Sequence, residues 1–134
     1  MGTTKSVLLV EDNKHDRFFF INALRQIPNA KLYYAASNGQ QAIKQLQLSS
    51  VIPDIIFTDI YMPVMDGLEF IEELKKNVLF NSIPIVVFSS ASWHISAAQK
   101  LGVKTFIEKP LNESEWQSQI EAILNRNDTA APLF

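Results

Sequence analysis

Short apolar runs punctuate the chain, and each is followed by a stretch in which apolar residues return every three or four positions. The runs are Val7-Leu8-Leu9-Val10, Leu32-Tyr33-Tyr34-Ala35, Ile55-Ile56-Phe57, Ile85-Val86-Val87-Phe88 and the shorter Phe106-Ile107 in a fifth strand from Lys104 to Ile107. Unbroken runs of this length suit strands buried on both faces of a parallel sheet. The second run, from Lys31 to Ala35, is more mixed and suits an edge. Between the runs, helical spacing links Phe18, Ile21, Leu24 and Arg25, then Ala42, Ile43, Leu46 and Leu48, then Leu68, Ile71, Leu74 and Lys75. A weaker helix is expected from Ser92 to Leu101, stopped by Gly102, and a last one carries Trp116, Ile120, Ile123 and Leu124. Pro28 closes the first helical stretch, Ser37-Asn38-Gly39 turns into the second, and Asn112 with Glu115 gives a capping-box-like start to the fifth. Strands that alternate with helices predict an α/β fold: a doubly wound, five-stranded parallel sheet with right-handed crossovers and helices on both faces.

Ligand sites in such sheets lie beyond the carboxyl ends of the strands. Polar residues with chemistry gather there. The first strand delivers Glu11 and Asp12, the third Asp59, the fourth Ser89 and the fifth Lys109. Singly, each has an ordinary structural role, as helix-start acid, turn former or surface lysine. Together at one edge they have no folding reason. Asp59 is followed at once by Met62-Pro63-Val64-Met65-Asp66-Gly67, a turn stiffened by Pro63 and closed by a glycine.

Three carboxylates within a few ångströms repel one another, and each pair at about 4 Å costs roughly 4 kcal/mol at an effective dielectric near 20. A divalent cation relieves this, and Lys109 balances the remaining charge. Oxygen donors suit a hard ion such as Mg²⁺. With no cysteine in the chain, and neither His15 nor His94 expected at the cleft, zinc is disfavoured. A carboxylate beside Mg²⁺ and a lysine is a nucleophile for phosphorus.

Composition narrows the classes without selecting one. The chain has 134 residues, 47% of them hydrophobic, with a formal net charge of -2. That fits one domain able to bury its own core, expected over residues 1–126, with 127–134 as a tail. No run is long enough to span a membrane, no signal-peptide pattern opens the chain and no basic block supports nucleic-acid binding. A cytoplasmic location is expected.

With these residues in view, the sequence resembles the receiver domain of two-component response regulators, of the chemotaxis-regulator-like single-domain type. The resemblance spans about residues 5 to 125. Its specific parts are the Glu11-Asp12 pair, the Asp59-x-x-Met62-Pro63-x-Met65-Asp66-Gly67 loop, Ser89, and Lys109-Pro110. It implies the flavodoxin-like strand order 2-1-3-4-5. It implies that Asp59 accepts a phosphoryl group from a phosphohistidine on a histidine kinase or phosphotransfer protein. Asp12, Asp59 and the Tyr61 carbonyl would then ligate Mg²⁺, with Glu11 acting through a bound water. Lys109 and Ser89 would contact the phosphoryl group, and Phe106, at the aromatic switch position, would swing inward when Ser89 moves. The peptide before Pro110 is expected to be cis. Glu11 replaces the commoner aspartate, and Phe106 the frequent tyrosine. Tyr61 and Ala91 flank the phosphoryl position, and the bulk of Tyr61 is expected to keep water away and lengthen the phosphorylated lifetime. The fourth helix, fifth strand and fifth helix form the expected output face toward an unknown protein target, with Trp93 as a contact candidate and Trp116 as core. A homodimer is left open.

On this view the chain is no enzyme beyond its own phosphorylation and dephosphorylation. A haloacid-dehalogenase-type phosphatase would place a second acid where Tyr61 stands, and no G-x-x-x-x-G-K-[ST] or G-x-G-x-x-G motif occurs. The rival from another class is a pseudo-receiver that binds partners without being phosphorylated.

Overall fold

The computed structural model describes residues 4–89 and 95–126. In chain order the elements are β1 (Lys5–Val10), α1 (Lys14–Arg25), β2 (Ala30–Ala36), α2 (Gly39–Leu48), β3 (Ile55–Thr58), α3 (Gly67–Lys75), β4 (Ile85–Ser89), α4 (Ile95–Lys100), β5 (Thr105–Glu108) and α5 (Glu113–Leu124). The five strands lie parallel in the order β2-β1-β3-β4-β5. This is the expected doubly wound, flavodoxin-like arrangement, and the mixed second strand is indeed at an edge.

Alternation along each strand divides the apolar residues between two cores. Val7 and Leu9 join Phe20, Leu24, Phe57, Phe88, Trp116 and Ile120 on one face. Leu8 and Val10 join Ile56, Phe70, Ile71, Leu74, Val87 and Phe106 on the other. Trp116 is core, as expected, and its ring meets Phe88 edge-on at 5.0 Å and Phe20 at 5.3 Å. Such aromatic pairs add about 0.5–1.5 kcal/mol each beyond the area they bury.

Several local expectations are corrected. Phe18 is 59% exposed, while Phe20 is fully buried. The run Phe18-Phe19-Phe20-Ile21 can be laid on a helix in more than one phase, and contact with α5 selects Phe20. Leu48, the last residue of α2, is exposed because the helix has run past the sheet there. At α5 the Asn112 side chain accepts from the Glu115 N–H, but Glu115 accepts from Leu111 N–H rather than from the cap residue. The reciprocal capping box belongs to α3, between Asp66 and Glu69. The peptide before Pro110 is trans. Ala91, Trp93, His94 and residues 127–134 lie outside the described residues, as does the expected start of the fourth helix at Ser92. Among the described residues no helix is long and apolar enough to cross a membrane.

Candidate functional site

Strand register brings the carboxyl ends of β1, β3, β4 and β5 level. Val10 pairs with Thr58, Thr58 with Val87, and Ser89 with Glu108. The residues that follow are held by one more backbone bond each: Glu11 N–H to Ala36 O, Asp59 N–H to Val10 O, and Lys109 N–H to Ser89 O. Glu11, Asp59 and Lys109 therefore inherit the rigidity of the sheet while their side chains stand past its edge.

Glu11, Asp12 and Asp59 each offer a carboxylate oxygen, and these oxygens lie within 4.8 Å of one another. Glu11 and Asp59 are buried, and Asp12 is exposed at the mouth. Lys109 places its ammonium 2.8 Å from Asp59 Oδ2 and 3.0 Å from Glu11 Oε1. The other oxygen of Asp59 accepts from Ile60 N–H at 2.6 Å, and that of Glu11 from Asn13 N–H at 2.9 Å. The lysine also sits over the Phe88 ring, 5.8 Å from its centroid. Ser89 ends the adjacent strand. Tyr61 lies at the rim and is 53% exposed. Phe106 already points into the core, 1% exposed, so the inward position expected to follow a movement of Ser89 is the one occupied here.

Two residues escaped the reading of the sequence. Asp16 places Oδ2 2.8 Å from the Lys109 ammonium. Arg17 donates from Nη1 to the carbonyl oxygens of Glu11 and Asp12, at 2.9 and 3.1 Å, pinning the loop that carries both acids. Their signal is spacing. From the first turn of α1, both side chains can reach back over the loop that carries the acidic pair.

The loop after Asp59 is strained at one point. Val64 has φ 69°, and Met65 N–H donates to Pro63 O at 2.7 Å across it. This is a γ-turn of positive φ, which a β-branched residue resists. Val64 is 73% exposed, so its side chain contributes little packing. Val64→Asn is expected to raise stability by about 1 kcal/mol, read as a higher denaturant midpoint at unchanged slope. An unchanged or lower midpoint would show that the turn costs nothing.

The donor set fits a hard divalent cation. All three candidate ligands are carboxylate oxygens, and the buried Glu11 Oε1 has the Lys109 ammonium as its partner, at 3.0 Å. Burial raises the Glu11 pKa most, from 4.5 to about 7, and the Asp59 charge adds to this against the Asn13 N–H and Lys109. For Lys109, burial pulls downward, but hydrogen bonds to Asp16 and Asp59 outweigh it and lift the ammonium above the ordinary lysine range.

A carboxyl with a raised pKa holds its proton more tightly in the folded state, so ionisation costs stability. For Glu11 this cost starts near the unfolded value of 4.5 and is complete above about 7. In chelator, the unfolding free energy is expected to fall by on the order of 3 kcal/mol across that window, and Mg²⁺ should recover part of it at the alkaline end. A flat profile in chelator, or one rising with pH, would contradict this.

A sequence profile of the response regulator receiver domain matches residues 7–121. Among curated proteins, a histidine kinase of Formosa agariphila is 34% identical over 121 residues, covering 89% of this chain and 8% of the kinase. The chain spans half or less of the length of the curated relatives it matches. Among solved structures, the phosphorylated cyanobacterial phytochrome response regulator RcpA superposes with a TM-score of 0.81 at 28% identity, covering 90% of this chain and 91% of that one. The Mn²⁺-bound response regulator Rcp1 gives 0.76 at 28%, covering 89% and 91%.

Proposed function

We propose, for a chain that belongs to the response regulator receiver domain family, that Asp59 accepts a phosphoryl group from a phosphohistidine and thereby switches a protein-binding face. The observation that carries this is the convergence on Asp59 of Lys109, at 2.8 Å, and of two further carboxylates within reach of one cation. The donor would be a histidine kinase or a histidine phosphotransfer protein.

In the transfer, one Asp59 oxygen forms the bond to phosphorus as the bond from phosphorus to the imidazole nitrogen breaks. The nitrogen keeps the electron pair. Asp12, Asp59 and the Tyr61 carbonyl would hold Mg²⁺, with Glu11 binding through a water. Mg²⁺ supplies neutralisation of the phosphoryl oxygens and of the crowded acids. Lys109 stands where it can follow charge from the carboxylate onto a phosphoryl oxygen. The Ser89 hydroxyl, at the next strand end, can donate to another. Movement of Ser89 toward the phosphoryl group would be coupled to the packing of Phe106, one strand away. Phe106 carries no hydroxyl, so this coupling works through shape. The added charge on Asp59 would then bias the surface formed by α4, β5 and α5, where a downstream protein binds. Two features of related proteins support this reading: RcpA was solved phosphorylated, and Rcp1 with Mn²⁺.

Acetyl phosphate provides the test. With Mg²⁺, intact mass should show one added phosphoryl group, peptide mapping should place it on Asp59, and chelator should abolish it. An unmodified mass with both reagents present, from a chain that still binds its partner, would favour the pseudo-receiver.

A further inference from the structure

Lys109 has more acidic neighbours than the transfer requires. Its ammonium contacts Glu11, Asp59 and Asp16, all at 3.0 Å or less. The first two belong to the group whose oxygens can meet on one ion; Asp16 does not. An acid in the first turn of α1 has an ordinary explanation, because the helix start favours negative charge. Asp16 N–H also completes the Asn13 cap. Neither accounts for a side chain turned toward the cleft, three-quarters buried and 2.8 Å from the lysine.

A cation bound to Asp59, and to Glu11 through a water, would draw on the two carboxylates that the ammonium now holds. The lysine would lose two counter-charges and face a dication. Asp16 is the acid left to it. We propose that Asp16 is a positioning residue, which keeps Lys109 on the α1 side of the cleft and so stops the ammonium from competing with the cation for Glu11 and Asp59. This rests on the cation site described above, but not on phosphotransfer.

The experiment is Mg²⁺ titration of the full chain by calorimetry at low ionic strength. It uses wild type, Asp16→Asn, Asp16→Glu, and Asp16→Asn in a Lys109→Met background. Asn keeps the shape and an acceptor oxygen while losing the charge, and thermal melts check that each variant is folded. Asp16→Asn should weaken Mg²⁺ binding about fivefold, on the scale of one ion pair in a partly wet cleft. Asp16→Glu should bind within about twofold of wild type. Without Lys109 the effect of Asp16→Asn should shrink to about twofold or less, and raised salt should shrink it in either background.

Equal affinity of wild type and Asp16→Asn would overturn the proposal while leaving the cation site standing. The same loss in both backgrounds would also overturn it, because Asp16 would then act by charge alone and not through the lysine. No Mg²⁺ binding by wild type would remove the cation site, and this inference with it.

Discussion

Asp59→Asn is expected to take up no phosphate, from acetyl phosphate or from a phosphohistidine protein, at any Mg²⁺ concentration. The amide oxygen is a poor nucleophile, and the variant offers the site no second acceptor in the same position. Asp12 is exposed at the mouth, and Glu11 is buried with its Oε1 against Lys109 and its Oε2 held by Asn13 N–H. Neither presents an oxygen past the end of β3, where Asp59 stands. The change is close to isosteric, so the fold should persist. The Ile60 N–H bond to Oδ1 can be kept by the amide oxygen. Removing the Asp59 charge also removes one of the causes that raise the Glu11 pKa, so Glu11 should titrate lower in this variant. Intact mass reads the first effect and carboxyl chemical shifts the second. Phosphate appearing on the variant at wild-type rate would show that another residue is the acceptor.

Gly67→Ala should have the next largest effect. A Cβ at this position would overlap the Asp59 carbonyl oxygen and lie 2.8 Å from Ile60 Cα. Both are backbone atoms, so no side chain can swing aside. The close approach exists because Gly67 N–H donates to Ile60 O at 2.7 Å, folding the loop back onto the strand end as α3 begins. Relieving the overlap means pushing the loop away from Asp59 or breaking that bond. A loss of about 2–4 kcal/mol is expected, as for overpacking combined with a lost backbone hydrogen bond. Because the displaced atoms belong to Asp59 and its neighbour, the rate of phosphorylation by acetyl phosphate should fall at least tenfold even under conditions where the variant is folded. Chemical denaturation and single-turnover labelling separate the two effects. Wild-type stability together with wild-type rate would mean that the loop adapts freely.

Both effects follow from the way Asp59 is held. Asp59 is the first residue beyond a four-residue buried strand, tied to Val10 on one side, to Lys109 across the cleft and to the Gly67 turn behind. Stability and chemistry share these atoms. Crowded acids and a positive-φ valine cost the fold energy at the place where the proposed transfer needs charge and a tight turn.

Much of this was legible in the chain. Parallel strands all end on the same edge, so placing five apolar runs also placed Glu11, Asp12, Asp59, Ser89 and Lys109 together. Local patterns named Gly67 as a turn residue and Trp116 as core. The misses share a different origin. Phe18 and Phe20 compete for one helix face, and only the position of α5 selects between them. Beyond their spacing, Asp16 and Arg17 carry no mark in the sequence of the loop they reach once α1 is docked beside it. Val64 carries no sequence mark of positive φ; Gly or Asn there would have carried one.

The sequence alone therefore determined the alternation of elements and the edge where the polar groups collect, Asp59 among them, because apolar runs and strand direction are local and additive properties. Tertiary structure decided the phase of α1, the inward placement of Phe106 and the three-way sharing of the Lys109 ammonium. These depend on how elements far apart in the chain pack, and periodicity within one element is silent about the neighbour it will meet.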